Sequence, residues 1–151
     1  MTDVSWADAD HRPLSDEDVR RAVEVALAHG GRAGADLAVS FVADEYLTAL
    51  HARHLSDGAP TDVITFDLGE DGVGPAGELY VSVERAERVA RRRGVPVERE
   101  LTLYVVHGVL HLCGFEDRTP DQTSLMRAAE REVLEHLGFE ADELPHEDGI
   151  D

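Results

Sequence analysis

Apolar side chains recur at three- and four-residue spacing in five segments of this sequence, a period typical of helices with one buried face. The first helix is predicted to begin after Ser15, whose hydroxyl precedes three acidic residues, and to end at Gly30. The last is predicted to begin after Thr119, with a proline in its first turn, and to end at Gly138. The other three predicted helices are 44–55, 83–93 and 97–113.

Apolar and polar residues alternate in three shorter segments, which predict strands with one buried face. These segments are 36–42, 61–68 and 78–83. In the first of them Leu37, Val39 and Phe41 are expected to share the buried face.

Length and composition predict one domain, because 151 residues with 42% hydrophobic side chains suffice for a core. We expect a flexible lead-in at 1–14, a single folded domain at 15–139 and a mobile acidic tail at 140–151. No apolar run is long enough to span a membrane. The lone cysteine, Cys113, cannot form an internal disulfide, which fits a reducing compartment; we expect a cytoplasmic protein.

The chain is strongly acidic, with 32 acidic and 14 basic residues and a net charge of −18. Such a charge argues against a general nucleic-acid coat, so any phosphate contact must be local. Arg85, Arg88 and Arg92 form one stripe of a predicted helix and suit bidentate phosphate contacts. A solvated face shared with Glu84 and Glu87 is the alternative, and charge alone favours it.

Residues 107–117 carry the pattern that is most informative about function. His107 and His111 are four residues apart and therefore project from one face of a helix. Gly114 is expected to end that helix in the left-handed conformation, so that the returning chain presents Asp117 to the same imidazoles. Two imidazoles and a carboxylate form a three-ligand zinc site with the fourth position open to water, as in hydrolytic sites.

Two other interpretations of this pattern must be weighed. A histidine pair on an apolar helix can be a hydrogen-bonded core pair, but both imidazoles would then need separate buried partners. The same spacing occurs in metzincin-type peptidases, which place a glutamate directly after the first histidine as general base. Here that position is Gly108, which disfavours a peptidase.

The sequence His-Gly-Val-Leu-His-Leu-Cys-Gly-Phe at 107–115 resembles the signature of the YbeY family of bacterial rRNA maturation factors. The segments 60–66 and 77–82 resemble the two strand motifs of that family, in the same order and at similar distance. With Glu130 and the paired Leu-Met of the last helix, the resemblance covers roughly residues 36–137.

This resemblance implies an α+β fold in which a short mixed β-sheet packs with about five helices and the metal site lies at the C-terminal end of a buried helix. It also implies a single-strand-specific, zinc-dependent endoribonuclease acting in 16S rRNA 3′-end maturation and ribosome quality control. One Zn²⁺ held by His107, His111 and Asp117 is the expected cofactor. Precursor rRNA or other single-stranded RNA, and the ribosome or its associated proteins, are the expected partners. Arg85, Arg88, Arg92 and Arg118 are the candidate RNA contacts.

Two positions depart from the family pattern. The third ligand is most often histidine where this chain has Asp117, and a family arginine corresponds to Leu55. A His2Asp set also admits iron, nickel or manganese. No general base is identified, since Glu116 is better explained as a solvated side chain. A zinc peptidase or other zinc hydrolase, and a non-catalytic ribosome-associated factor with a structural metal, stay open as alternatives.

Overall fold

A computed structural model describes residues 2–54, 63–69 and 75–139. These residues form four strands and five helices, which confirms the α+β class with about five helices. Their order is β1 (Asp3–Trp6), α1 (Asp16–His29), β2 (Leu37–Val42), α2 (Asp44–His54), β3 (Val63–Asp67), β4 (Gly77–Ser82), α3 (Val83–Arg93), α4 (Val97–Leu112) and α5 (Pro120–His136).

The strands form one mixed sheet in the order β1-β2-β4-β3, which confirms the predicted short mixed sheet. β1, β2 and β4 run parallel, and β3 pairs antiparallel with β4 at the opposite edge from β1. Leu37 pairs with Gly77 and Val42 with Ser82, so β2 and β4 are matched over their whole length.

The main core lies between one face of the sheet and the helices α1 and α4. That face contributes alternate, fully buried residues: Leu37, Val39, Phe41, Leu79 and Val81. α4 is the central helix, with 13 of its 16 residues buried, and α1, α3 and α5 pack around it. A smaller cluster of Leu47, Leu50 and Ile64 joins α2 to the other face of the sheet.

The helix ends follow the local signals in the sequence. The Ser15 hydroxyl accepts a hydrogen bond from the backbone N–H of Asp18 at the start of α1. Thr119 and Gln122 form a reciprocal capping box at the start of α5. These contacts satisfy backbone donors that have no partner within the helix, so each helix begins where its cap lies.

Residues 3–6 of the expected lead-in form the edge strand β1. The Trp6 ring stacks on Phe41 with ring centroids 3.9 Å apart. Its indole nitrogen donates to Asp16 Oδ1 at 2.7 Å. A four-residue strand is too short to show a period, and its partner β2 lies some thirty residues further along the chain.

Three predicted features fall outside the described residues: Leu55, the beginning of the 61–68 strand and the acidic tail at 140–151. Among the helices that the structure describes, none combines the length and the apolar content needed to cross a lipid bilayer.

Candidate metal centre

The C-terminal end of α4 and the turn after it form the candidate site. His107 and His111 lie one helical turn apart on α4. Gly114 has a positive φ of 100°, which a residue with a side chain rarely adopts. The backbone N–H groups of Gly114 and Phe115 donate to the carbonyls of His111 and Leu110, each at 3.0 Å. This turn reverses the chain and brings Asp117 back to the histidines, as the sequence predicts.

Three donor atoms converge at this turn. His107 Nε2 lies 3.0 Å from His111 Nε2 and 3.5 Å from Asp117 Oδ2. His111 Nε2 lies 3.7 Å from the same carboxylate oxygen. Among the described residues, these three side chains are the group with the composition and closeness to hold a metal ion.

The spacing of these donors fits a small tetrahedral cation. Zinc–ligand bonds of 2.0–2.2 Å at tetrahedral angles place neighbouring donors about 3.3–3.6 Å apart, and the three observed separations span 3.0–3.7 Å. Imidazole nitrogen and carboxylate oxygen are also the donor types that zinc and other divalent transition metals accept. The residues present therefore fit the metal that the sequence predicts.

The site is buried on one side and open on the other. The His107 side chain is 3% exposed, whereas those of His111 and Asp117 are 23% and 25% exposed. Burial, and next the neighbouring His107, lower the pKa of His111 below the usual imidazole value, against the opposing effect of Asp117. A lowered pKa favours the neutral form of His111, which is the form that binds a metal.

Glu130 is a further residue of the site, and no local sequence pattern gives it a role there. Its Oε2 lies 2.5 Å from His107 Nδ1, and both side chains are buried. Arg127, one turn earlier on α5, contacts both Glu130 oxygens, at 3.0 and 2.9 Å. The available signal was a carboxylate among apolar residues, since Met126, Ala129, Val133 and Leu134 are the other buried residues of α5.

Gly108, where a metzincin has its glutamate, lies against the sheet. A Cβ atom added there would lie 2.8 Å from Leu79 Cδ2 and 3.0 Å from Val63 Cγ2. A larger side chain at this position would therefore have to displace these two sheet residues, so a glutamate does not fit here. The close approach of α4 to β4 thus explains the glycine.

The four candidate RNA-contacting arginines do not form one free basic surface. Arg85 Nε lies 3.5 Å and Arg88 Nη2 3.2 Å from the carboxylate of Asp44, at the start of α2. The Arg85 side chain is only 12% exposed. Arg92 and Arg118 are both exposed, and Arg118 directly follows the candidate ligand Asp117.

Comparisons with known proteins match most of the length of this chain. The family model described as Endoribonuclease YbeY matches residues 7–138. A protein of that name from Symbiobacterium thermophilum is 35% identical over 139 residues, covering 86% of this chain and 88% of the relative. Another, from Phocaeicola vulgatus, is 36% identical over 111 residues, covering 74% and 79%.

The fold has a solved counterpart. The solution structure of TM1509 from Thermotoga maritima superimposes with a TM-score of 0.59 at 27% identity, covering 90% of this chain and 91% of that one. The family match spans strands β2 to β4, the central helix and the converging histidines and aspartate together. The chain belongs to the YbeY family of endoribonucleases.

Proposed function

We propose that this protein is a metal-dependent endoribonuclease that cleaves single-stranded RNA in the maturation of the 16S rRNA 3′ end and in ribosome quality control. The observation that carries the proposal is the convergence of His107, His111 and Asp117 in a chain of an endoribonuclease family. One Zn²⁺ is the proposed cofactor, with iron, nickel and manganese as alternatives that the donor set accepts.

The proposed roles of the three ligands follow from their burial. His107 forms the buried floor of the site, while His111 and Asp117 border the side that solvent and an RNA strand reach. A bound zinc ion would polarise a phosphodiester oxygen and activate water for hydrolysis. The Asp117 carboxylate adds a negative charge to the ligand set, which partly offsets that of the cation and distinguishes this site from one with three histidines.

RNA is the favoured substrate class over peptide. A metzincin peptidase needs a glutamate after the first histidine, and Gly108 has neither that group nor space for one. Arg118, exposed beside Asp117, is the proposed nearest phosphate contact, with Arg88 and Arg92 as outlying ones. Arg85 is a weaker candidate because it is mostly buried against Asp44.

The proposed partners are precursor rRNA and the ribosome or its associated proteins, and the proposed location is the cytoplasm, where that RNA is processed. These proposals depend on the family and not on a contact surface of the described residues. Because the chain carries a net charge of −18, we expect its association with RNA to depend on a few local contacts.

The proposal is tested by following cleavage and metal content together. Elemental analysis of the purified protein before and after chelation identifies the metal, and one RNA sequence is supplied as a single strand and as a duplex. We expect cleavage of the single strand alone, its loss on chelation and its recovery with Zn²⁺ or the metal found. Undiminished cleavage after complete metal removal would contradict the proposal.

A matched pair of variants connects that activity to the site. Asp117→Asn removes the ligand charge, whereas Asp121→Asn makes the same change at an exposed position at the start of α5. We expect Asp117→Asn to lose both metal and cleavage and Asp121→Asn to keep both. Peptide or ester hydrolysis without RNA cleavage would instead favour the general zinc-hydrolase alternative.

A further inference from the structure

The buried face of α5 carries a carboxylate where its other residues are apolar. Glu130 is 3% exposed, and the remaining buried residues of the helix are Met126, Ala129, Val133 and Leu134. A carboxylate in such surroundings is destabilising unless hydrogen bonds and an opposite charge compensate it. Its presence there therefore calls for an explanation in terms of its partners.

Those partners connect α5 to the metal centre. Nη1 of Arg127 lies 3.0 Å from Oε1 and 2.9 Å from Oε2 of Glu130. The guanidinium therefore supplies the compensating positive charge. Oε2 also lies 2.5 Å from Nδ1 of His107. A carboxylate that receives a hydrogen bond from arginine is an acceptor, so the histidine Nδ1 must carry the proton. Nε2 of the neutral ring then carries the lone pair.

That lone pair is directed into the metal centre. Nε2 of His107 is the atom that lies 3.0 Å from His111 Nε2 and 3.5 Å from Asp117 Oδ2. In a free imidazole the two neutral tautomers interconvert, and only one of them offers Nε2 as a ligand. A hydrogen bond from the other ring nitrogen to a carboxylate selects the ligating tautomer and the ring orientation.

We propose that Glu130 and Arg127 are positioning residues of the metal centre: Glu130 sets the tautomer and ring angle of His107, and Arg127 holds the Glu130 carboxylate in place. The inference deepens the proposed function, since it concerns the same site. The competing explanation is a structural ion pair between Arg127 and Glu130 that has no effect on metal binding.

The tautomer is measured directly, without metal or RNA. Long-range proton–nitrogen NMR spectra of the metal-free protein at about pH 8, above the ordinary imidazole pKa, report which ring nitrogen of His107 carries the proton. We expect Nδ1–H in the wild type and a shift toward Nε2–H in Glu130→Ala. Glu135→Gln, an exposed change on the same helix, is the control and should leave the signal unchanged. A wild-type His107 protonated at Nε2 would overturn the proposal, even if every variant failed to fold.

Metal affinity provides the second measurement. Zn²⁺ competition with a chromophoric chelator should show a 10- to 100-fold larger dissociation constant for Zn²⁺ in Glu130→Ala and Glu130→Gln. This is the usual loss of affinity when a residue that hydrogen-bonds to a metal ligand is removed. Arg127→Gln should weaken binding less, and Arg127→Lys, which keeps the charge, should restore most of it. The exposed Arg131→Gln is the matched control. Wild-type affinity in folded Glu130→Ala would establish the purely structural explanation.

The two proposals fail separately. If His107 is held as the Nδ1–H tautomer by Glu130 in a protein that cleaves no RNA, the positioning role stands and the proposed function falls. If the protein cleaves RNA with its metal, yet Glu130 affects neither the His107 tautomer nor the Zn²⁺ affinity, the proposed function stands and the positioning role is refuted.

Discussion

Replacing His111 by alanine separates the metal-binding role of this residue from any role in folding. The side chain is 23% exposed at the end of α4, where it contacts His107 and Asp117. The loss of its hydrogen bond to His107 should destabilise the metal-free protein by about 1 kcal/mol. We therefore expect His111→Ala to fold.

The larger effect is on stabilisation by the metal. A ligand present at 100 times its dissociation constant stabilises the native state by about 2.7 kcal/mol. Unfolding entropy of about 2.1 cal/mol/K per residue amounts to roughly 0.3 kcal/mol/K for a chain of this length, so Zn²⁺ should raise the wild-type Tm by about 9 °C. If loss of one of three ligands weakens binding about 100-fold, the same Zn²⁺ adds only about 0.4 kcal/mol, or roughly 1 °C.

Thermal unfolding followed by circular dichroism, with chelator or with Zn²⁺, measures both quantities. The exposed His136, also on a helix end, gives the matched control His136→Ala, which should keep the full Zn²⁺ response. An equal rise in Tm for wild type and His111→Ala would refute the assigned ligand. Failure of His111→Ala to fold at any Zn²⁺ concentration would indicate a structural metal.

Three further outcomes are expected. The pKa of His111 is lowered in the folded state, so the unfolded chain takes up this proton at a higher pH than the folded chain does. The free energy of unfolding should therefore fall as pH drops below about 6.5. Urea unfolding midpoints should fall less steeply with pH in His111→Ala than in the wild type. Gly108→Glu should unfold the protein and create no peptidase. Overpacking against Leu79 costs about 1–3 kcal/mol, and burying an unpaired charge costs several kcal/mol more. A variant that circular dichroism shows to be as stable as the wild type would contradict this prediction. The double variant Arg88→Ala with Arg92→Ala should weaken RNA binding and reduce its salt dependence in a titration. The control is the exposed pair Arg21→Ala with Arg131→Ala. Equal binding by the two double variants would show that Arg88 and Arg92 do not contact RNA.

Much of this molecule is specified by short-range sequence. The Ser15 and Thr119 caps, the glycine turn at 114 and the i,i+4 histidines each involve residues within a few positions of one another. Their geometry depends on backbone sterics and local hydrogen bonds, which the identity of neighbouring residues already contains. For that reason the helices, most of the strands and the grouping of the three candidate ligands are predictable from the sequence alone.

Long-range packing decided the remaining features. β1 is a strand because β2, some thirty residues away, offers it an edge, and Gly108 is a glycine because β4 passes directly beneath it. Arg85 and Arg88 form ion pairs with Asp44, about forty residues earlier in the chain. Glu130 meets His107 across 23 residues, through the packing of α5 on α4. Such contacts depend on which helix faces meet and at what distance, and no local pattern of residues contains that information.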